Sequence, residues 1–217
     1  MNPDRCNSKL WLKAVEQKLM HKLEFYFDCS SPWTYLAFER ALQLFDAEDI
    51  EIIWKPILVG GVFNSVNPAI YDNRANPVPA KAEYARKDLQ DWARFVGLNI
   101  GQPPVFPVNS VKAMRGAFYA LDNNLLVPYA RAVFKRYWSD LADISQDEEL
   151  RIIATESGLE PSSYFKAIAD QSYKDRLRDT TDELMKRGGF GSPTMFLDDE
   201  DMYFGNDRLE LIVARLK

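Results

Sequence analysis

The sequence holds a single histidine, His21, and two cysteines, Cys6 and Cys29, in 217 residues. One histidine excludes a histidine-built zinc site, and no metal is expected. A serine–histidine pair would have only His21 to use, and that residue precedes the first apolar strand, at the end away from the serines at 30 and 31. Two cysteines make no disulfide framework, so a reducing cytoplasm is the expected setting. Positive charge is also short: 27 Lys and Arg stand against 32 Asp and Glu, a net charge of −5. That balance supplies no basic stripe for nucleic acid. No apolar run approaches the roughly 18 residues that a membrane helix needs. Residues 1–20 are polar and charged, without the apolar centre of a secretory signal. What is present is 47% hydrophobic residues, enough for one core or for one domain carrying a large insertion.

The apolar pattern organises the chain. Leu10, Trp11, Val15 and Leu19 fall at helical spacing and predict an amphipathic helix over 8–20, packed on the body or used as a dimer contact. Leu23–Phe27 reads as a buried aromatic strand. Asp28 to Pro32 is a turn, and a helix over 35–45 buries Tyr35, Leu36, Phe38, Leu42 and Phe45. Ile50–Trp54 is a second strand, and a strand–helix–strand unit predicts a parallel pair. Residues 60–80, rich in Gly, Pro and Asn, read as a loop. Helical periodicity then predicts helices over 81–96, 110–123, 127–139, 146–157, 161–170 and 172–187. After Gly188-Gly189 come strands over 194–197 and 202–204, joined by an acidic turn, and a final helix begins near Asn206-Asp207. The expected organisation is an extension over 1–21, one α/β unit from 22–60 plus 188–217, and a helical insertion over 61–187.

Three stretches can carry chemistry. Ser31-Pro32-Trp33-Thr34 joins a strand to a helix. Ser30 or Ser31 can cap that helix, and Pro32 suits its first turn. Unpaired N–H groups and the helix dipole there favour negative charge, and a thiolate held there has a lowered pKa. Ser31 is therefore either a cap alone or a hydrogen-bond donor to such a thiolate. Ser192-Pro193 leads directly into a strand, where a cis peptide is expected. The Ser192 backbone is expected to lack an internal partner and to be free to pair with an extended peptide. Asn206 and Asp207 either cap the last helix or bind a ligand's α-ammonium group and adjacent carboxylate.

Together these stretches resemble the DsbA-like, kappa-class glutathione transferase lineage, and within it the 2-hydroxychromene-2-carboxylate isomerase family. The matching segments are Phe25-Tyr26-Phe27-Asp28, Ser31 to Ala37, Phe190 to Phe196 and Phe204 to Leu209, with Tyr84, Asp88-Leu89 and Phe106-Pro107 in the helical region. Two positions that carry a Cys-x-x-Cys pair in thioredoxin-type enzymes read Ser31 and Thr34 here. The resemblance implies an α/β fold: a discontinuous thioredoxin-like domain with a large all-helical insertion. It implies glutathione as the cofactor, with Ser31 hydrogen-bonded to its sulfur. Ser192, before cis Pro193, would pair with the cysteinyl backbone, and Asn206 and Asp207 would hold the γ-glutamyl group. An asparagine after the second strand would also reach glutathione, either Asn76 or Asn73.

The implied reaction is reversible addition of the thiolate to an aromatic keto acid, with cis–trans isomerisation and no metal. For the substrate's own site, Trp33, Lys55 and Arg115 are candidates, a basic group being the partner for its carboxylate. A homodimer is expected. A kappa-like transferase or peroxidase remains open, as does a peptide-binding module. A thiol–disulfide oxidoreductase is opposed by the missing cysteine pair. Cys29, two residues before Ser31, reads as a small buried apolar residue.

Overall fold

The structure, a computed structural model, describes residues 21–45 and 50–216. The helix expected over 8–20 lies outside them. Four strands form one sheet in the order β2-β1-β3-β4. β1 (His21–Phe27) pairs in parallel with β2 (Ile50–Pro56), so the crossover reading holds. β1 is antiparallel to β3 (Thr194–Leu197), which forms a hairpin with β4 (Asp201–Phe204). The two central strands bury every residue from Leu23 to Phe27 and from Thr194 to Leu197, as strands covered on both faces must. His21 opens β1 with its ring on Asp198 at 2.7 Å, at the strand end opposite Ser31.

Between β1 and β2 runs α1 (Pro32–Phe45). Between β2 and β3 lie α2 (Val59–Val66), α3 (Ala69–Ala75), α4 (Pro79–Val96), α5 (Val111–Asp122), α6 (Leu126–Phe134), α7 (Asp147–Glu156), α8 (Pro161–Ala169) and α9 (Gln171–Lys186). A five-residue π turn, Lys135–Ser139, extends α6 where a single helix to 139 is expected. α10 (Leu209–Arg215) closes the fold. α8 starts at Pro161, and the Glu160 carboxylate caps it by accepting the Ser162 and Ser163 amides at 2.8 and 2.7 Å. Those two bonds lower the Glu160 pKa to about 2.

One correction concerns residues 60–80. They form α2, α3 and the start of α4 rather than a loop. Two glycines and several asparagines hide the helical signal. The caps that compensate are distant in sequence. The Val59 amide at the start of α2 donates to Asp28 Oδ2 at 2.8 Å, and the Leu58 amide donates to Thr181 Oγ1 at 3.0 Å.

Sheet and helices share a main core, and Tyr26, Ile57, Val62, Leu184 and Phe196 form a second, smaller cluster. Tyr35 of α1 stacks on Phe134 of α6 with centroids 4.9 Å apart, and Phe38 packs on Trp54 at 4.7 Å. Trp138 in the π turn donates to the Cys29 carbonyl at 2.9 Å. Such buried aromatic area fixes the insertion against the end of β1, which is where the candidate site lies. Among the described residues, no helix is long and apolar enough to cross a membrane.

Candidate functional site

The C-terminal end of β1 turns at Asp28, which is fully buried. One of its carboxylate oxygens accepts the Ser30 amide at 2.9 Å. The other accepts the Val59 amide and the Ser110 hydroxyl, at 2.8 and 3.0 Å. Burial raises its pKa, and these bonds act in the opposite direction. One carboxylate thus ties the turn before α1 to the start of α2 and the approach to α5.

Ser31 is the cap of α1: its Oγ accepts the Thr34 amide at 3.3 Å. The same hydroxyl donates to the Ser192 carbonyl at 3.2 Å. Ser192-Pro193 is cis, as expected. The expectation of an unpartnered Ser192 backbone is corrected in half, since its carbonyl is engaged by Ser31, while its amide has no partner among the described residues. The Ser192 side chain points the other way. It accepts the Asp28 amide at 3.0 Å and shares a 2.8 Å bond with the hydroxyl of Thr34, which is fully buried. The two positions of a Cys-x-x-Cys pair therefore differ here: Ser31 meets the cleft, and Thr34 latches the Pro193 loop from behind.

These residues form the floor of a cleft of about 650 Å³. Ser30, Ser31, Pro32 and Trp33 come from the start of α1, and Phe190, Gly191 and Ser192 from the loop before β3. α2 and α3 supply one wall, including Phe63, Asn64, Asn67, Tyr71 and Arg74. The segment from Phe106 to Val111 supplies another, and Phe204 closes the β4 side. The Phe190 and Phe204 rings pack at 4.5 Å, and Asn67 Nδ2 donates to the Phe190 carbonyl at 3.3 Å, joining the two rims. Trp33 also lines the cleft.

Other expected residues are placed elsewhere. Lys55 is not in the cleft; it makes ion pairs with Glu24 at 3.1 Å and Glu183 at 3.2 Å. Arg115 lines a separate cavity of about 310 Å³ between α5, α9 and α2, with its Nε buried and without a partner among the described residues. Asn76 is the exposed C-cap of α3, and neither it nor Asn73 lines the cleft. Asn64 of α2 and Asn67, its C-cap, do line it. Asn206 and Asp207 follow Gly205, whose amide donates to the Pro193 carbonyl at 3.2 Å and whose φ of +106° favours glycine. They begin a 3₁₀ turn before α10 and make no side-chain cap. Asn206 is buried, its Nδ2 without a partner among the described residues; Asp207 is exposed and paired with Arg208 at 2.6 Å. Both lie next to the cleft rim in sequence but outside its lining.

Cys29 is fully buried, its amide on Met114 sulfur, and burial followed by the nearby Asp28 charge pushes its thiol pKa well up. It is not a reactive thiol. Among the described residues no His, Cys, Asp and Glu cluster fits a metal ion.

Residues 22–217 match the family of DSBA-like thioredoxin domains. The chain belongs to that family. Within it, the chain is 30% identical to a 2-hydroxychromene-2-carboxylate isomerase of Pseudomonas sp. (strain C18), over 88% of this chain and 87% of the relative. It is 26% identical to glutathione S-transferase kappa 1 of Homo sapiens, over 91% and 92% of the two chains. A solved structure of a 2-hydroxychromene-2-carboxylate isomerase superposes with a TM-score of 0.76 at 26% identity, covering 90% of this chain and 94% of that one. The DsbA and kappa-class architecture expected from the sequence holds, and so does the resemblance to the isomerase family.

Proposed function

We propose that the protein is a glutathione-dependent cis–trans isomerase of 2-hydroxychromene-2-carboxylate-type intermediates. The observation that carries this reading is Ser31. It caps α1 at the floor of a cleft large enough for a tripeptide and a small aromatic acid, and neither sulfur position of the motif holds a cysteine. Glutathione, when bound, would supply a thiolate able to add reversibly to the substrate's double bond and so allow cis–trans rotation. The remaining steps fall to this chain. The Ser31 hydroxyl, now on the Ser192 carbonyl, turns to donate to the sulfur, and the α1 N-terminus favours its charge. The free Ser192 amide takes the cysteinyl carbonyl, as an added strand would. Asn206 and Asp207 would receive the γ-glutamyl head group; the buried Nδ2 of Asn206 is a donor without an acceptor among the described residues. Trp33, Phe63, Phe106 and Phe204 give the aromatic acid apolar walls and keep water away.

Relatives named as isomerases and as kappa-class transferases both support a glutathione-linked enzyme. A kappa-like transferase is the second reading, favoured by the same cleft, and it differs in consuming glutathione. A reducing, cytoplasmic setting suits a free-thiol cofactor; a homodimer, with residues 1–21 as extension, and the division into 22–60 plus 188–217 and 61–187 complete the proposal. The test is absorbance of 2-hydroxychromene-2-carboxylate with and without glutathione. Equilibration with the open-chain trans isomer, only with glutathione and without loss of thiol, supports the isomerase. Thiol loss in step with substrate points to the transferase. No conversion by folded protein rejects this substrate.

A further inference from the structure

Among the described residues that line the cleft, Arg74 alone carries a formal charge. Arg74 sits in the last turn of α3, and its guanidinium lies 5.4 Å from the ring centroids of both Phe63 and Phe106. Phe63 belongs to α2 and Phe106 to the segment before α5, so the guanidinium joins two of the cleft's wall segments by two cation–π contacts. It has no carboxylate within ion-pair distance among the described residues, unlike Lys55, Arg131, Arg136 and Arg187. A cation held between aromatic faces keeps its N–H edges for another partner, and the planar fork matches a carboxylate. The background makes the charge more pointed: with a net charge of −5 the protein as a whole repels anions, and Arg74 is the local exception at the mouth of its cleft.

We propose that Arg74 selects electrophiles bearing a carboxylate, by pairing with that group while the apolar part of the molecule lies between Phe63, Phe106 and the α1 floor. The proposal rests on the glutathione reading and names the specificity of that same cleft. It also relocates a role expected of Lys55 or Arg115, neither of which lines this cleft.

The test is calorimetric binding of stable conjugates to the full chain, with no turnover. S-benzylglutathione is compared with the three positional isomers of S-(carboxybenzyl)glutathione. At least one carboxylate isomer is expected to bind the native protein about tenfold more tightly than S-benzylglutathione, the scale of one charge-assisted pair. Arg74→Leu should abolish that difference and leave S-benzylglutathione within about twofold of the native affinity. Arg74→Lys should restore part of it, because charge survives and the fork does not. Arg74 is exposed, so the variants should unfold at the native urea midpoint. If S-benzylglutathione binds and no carboxylate isomer binds more tightly, the specificity proposal fails and the glutathione reading stands. If Arg74→Leu weakens all four conjugates alike, Arg74 serves the glycyl carboxylate of glutathione instead, and the proposal also fails. If S-benzylglutathione does not bind the native protein, the glutathione reading fails and takes this one with it.

Discussion

Replacing Ser31 with alanine separates the two roles that its hydroxyl is asked to play. As a cap it makes two bonds, to the Thr34 amide at 3.3 Å and the Ser192 carbonyl at 3.2 Å, both toward the long end of the range. Their loss should cost about 1 kcal/mol, the lower part of the range for N-caps, and for a chain of this size that lowers the melting temperature by roughly 2–4 °C. As a partner to a bound thiolate, the hydroxyl supplies one hydrogen bond to a charge, worth about 1.5–3 kcal/mol. That converts to a rise of about 1–2 pKa units in the bound thiol. The α1 N-terminus is untouched by the substitution, so the thiol should still titrate below free glutathione. Thiolate absorbance of saturating glutathione, titrated on native and variant protein, reads the second effect; thermal unfolding reads the first. Turnover at neutral pH should fall with the thiolate fraction, and raising the pH should recover much of it. Loss of about 1 kcal/mol of stability with an unmoved thiol pKa would show that Ser31 is only a cap. A bound thiol that titrates as in free solution in the native protein would refute the use of the helix N-terminus altogether.

Four further outcomes follow from the structure. Asp28→Asn leaves the Ser30 amide, or the Val59 amide with the Ser110 hydroxyl, without a carboxylate acceptor, and should cost about 1–3 kcal/mol per orphaned group in urea unfolding; an unchanged midpoint would remove Asp28 as the cap of α2. Glu24 is nearly buried; desolvation raises its pKa, but bonds from Arg187 and Lys55 outweigh it, and the net shift is downward from 4.5. Its stabilising contribution should therefore be full above pH 4.5 and lost as pH falls through the lowered folded value, and Glu24→Gln should flatten that part of the pH–stability curve. Gly116→Ala would set its methyl group on the Tyr129 hydroxyl and the Tyr164 ring, whose hydroxyls share a buried 2.8 Å bond, and should lower stability by about 1–3 kcal/mol in thermal melts. Cys29→Ala should keep glutathione-dependent activity; loss of activity in a stable, folded variant would mean that this thiol takes part.

The sheet, α1 and the helices from 81 onward were legible because their apolar residues keep strict period, and because Pro161, Gly97 and Gly188 mark the ends. The motif around Ser31 and the cis bond at Pro193 were legible from local chemistry alone. The wall built by α2 and α3 was not. Its first amides are satisfied by Asp28 and Thr181, residues 31 and 123 positions away, so no local capping signal exists to be read. With a loop expected over 60–80, Asn76 and Asn73 are the asparagines put forward, whereas the cleft is lined by Asn64 of α2, its C-cap Asn67, and Tyr71 and Arg74 of α3. Lys55 and Arg115 are the basic groups a substrate carboxylate could use, but nothing in the sequence shows that Glu24 and Glu183 already hold Lys55.

The two sulfur positions also show why a lost cysteine pair is not simply an absent one. Thr34 is buried, and its hydroxyl bonds to Ser192 Oγ, which in turn accepts the Asp28 amide. Asp28 holds the start of α2, whose side chains line the cleft. The second position has thus become part of the frame that sets the cleft's width. A cysteine restored there would replace a good hydrogen bond with a weak donor inside a buried network, where an imperfectly satisfied group is most costly. Ser31 has no such commitment beyond two long bonds and remains partly open to the cleft. Cys29, the one cysteine among the described residues, is turned into the core with its pKa raised. Among the described residues no thiol faces the α1 N-terminus; on the proposed reading a bound ligand would bring the thiolate there, and the Ser192 amide and Asn206 Nδ2, which have no partner among those residues, would help to receive it.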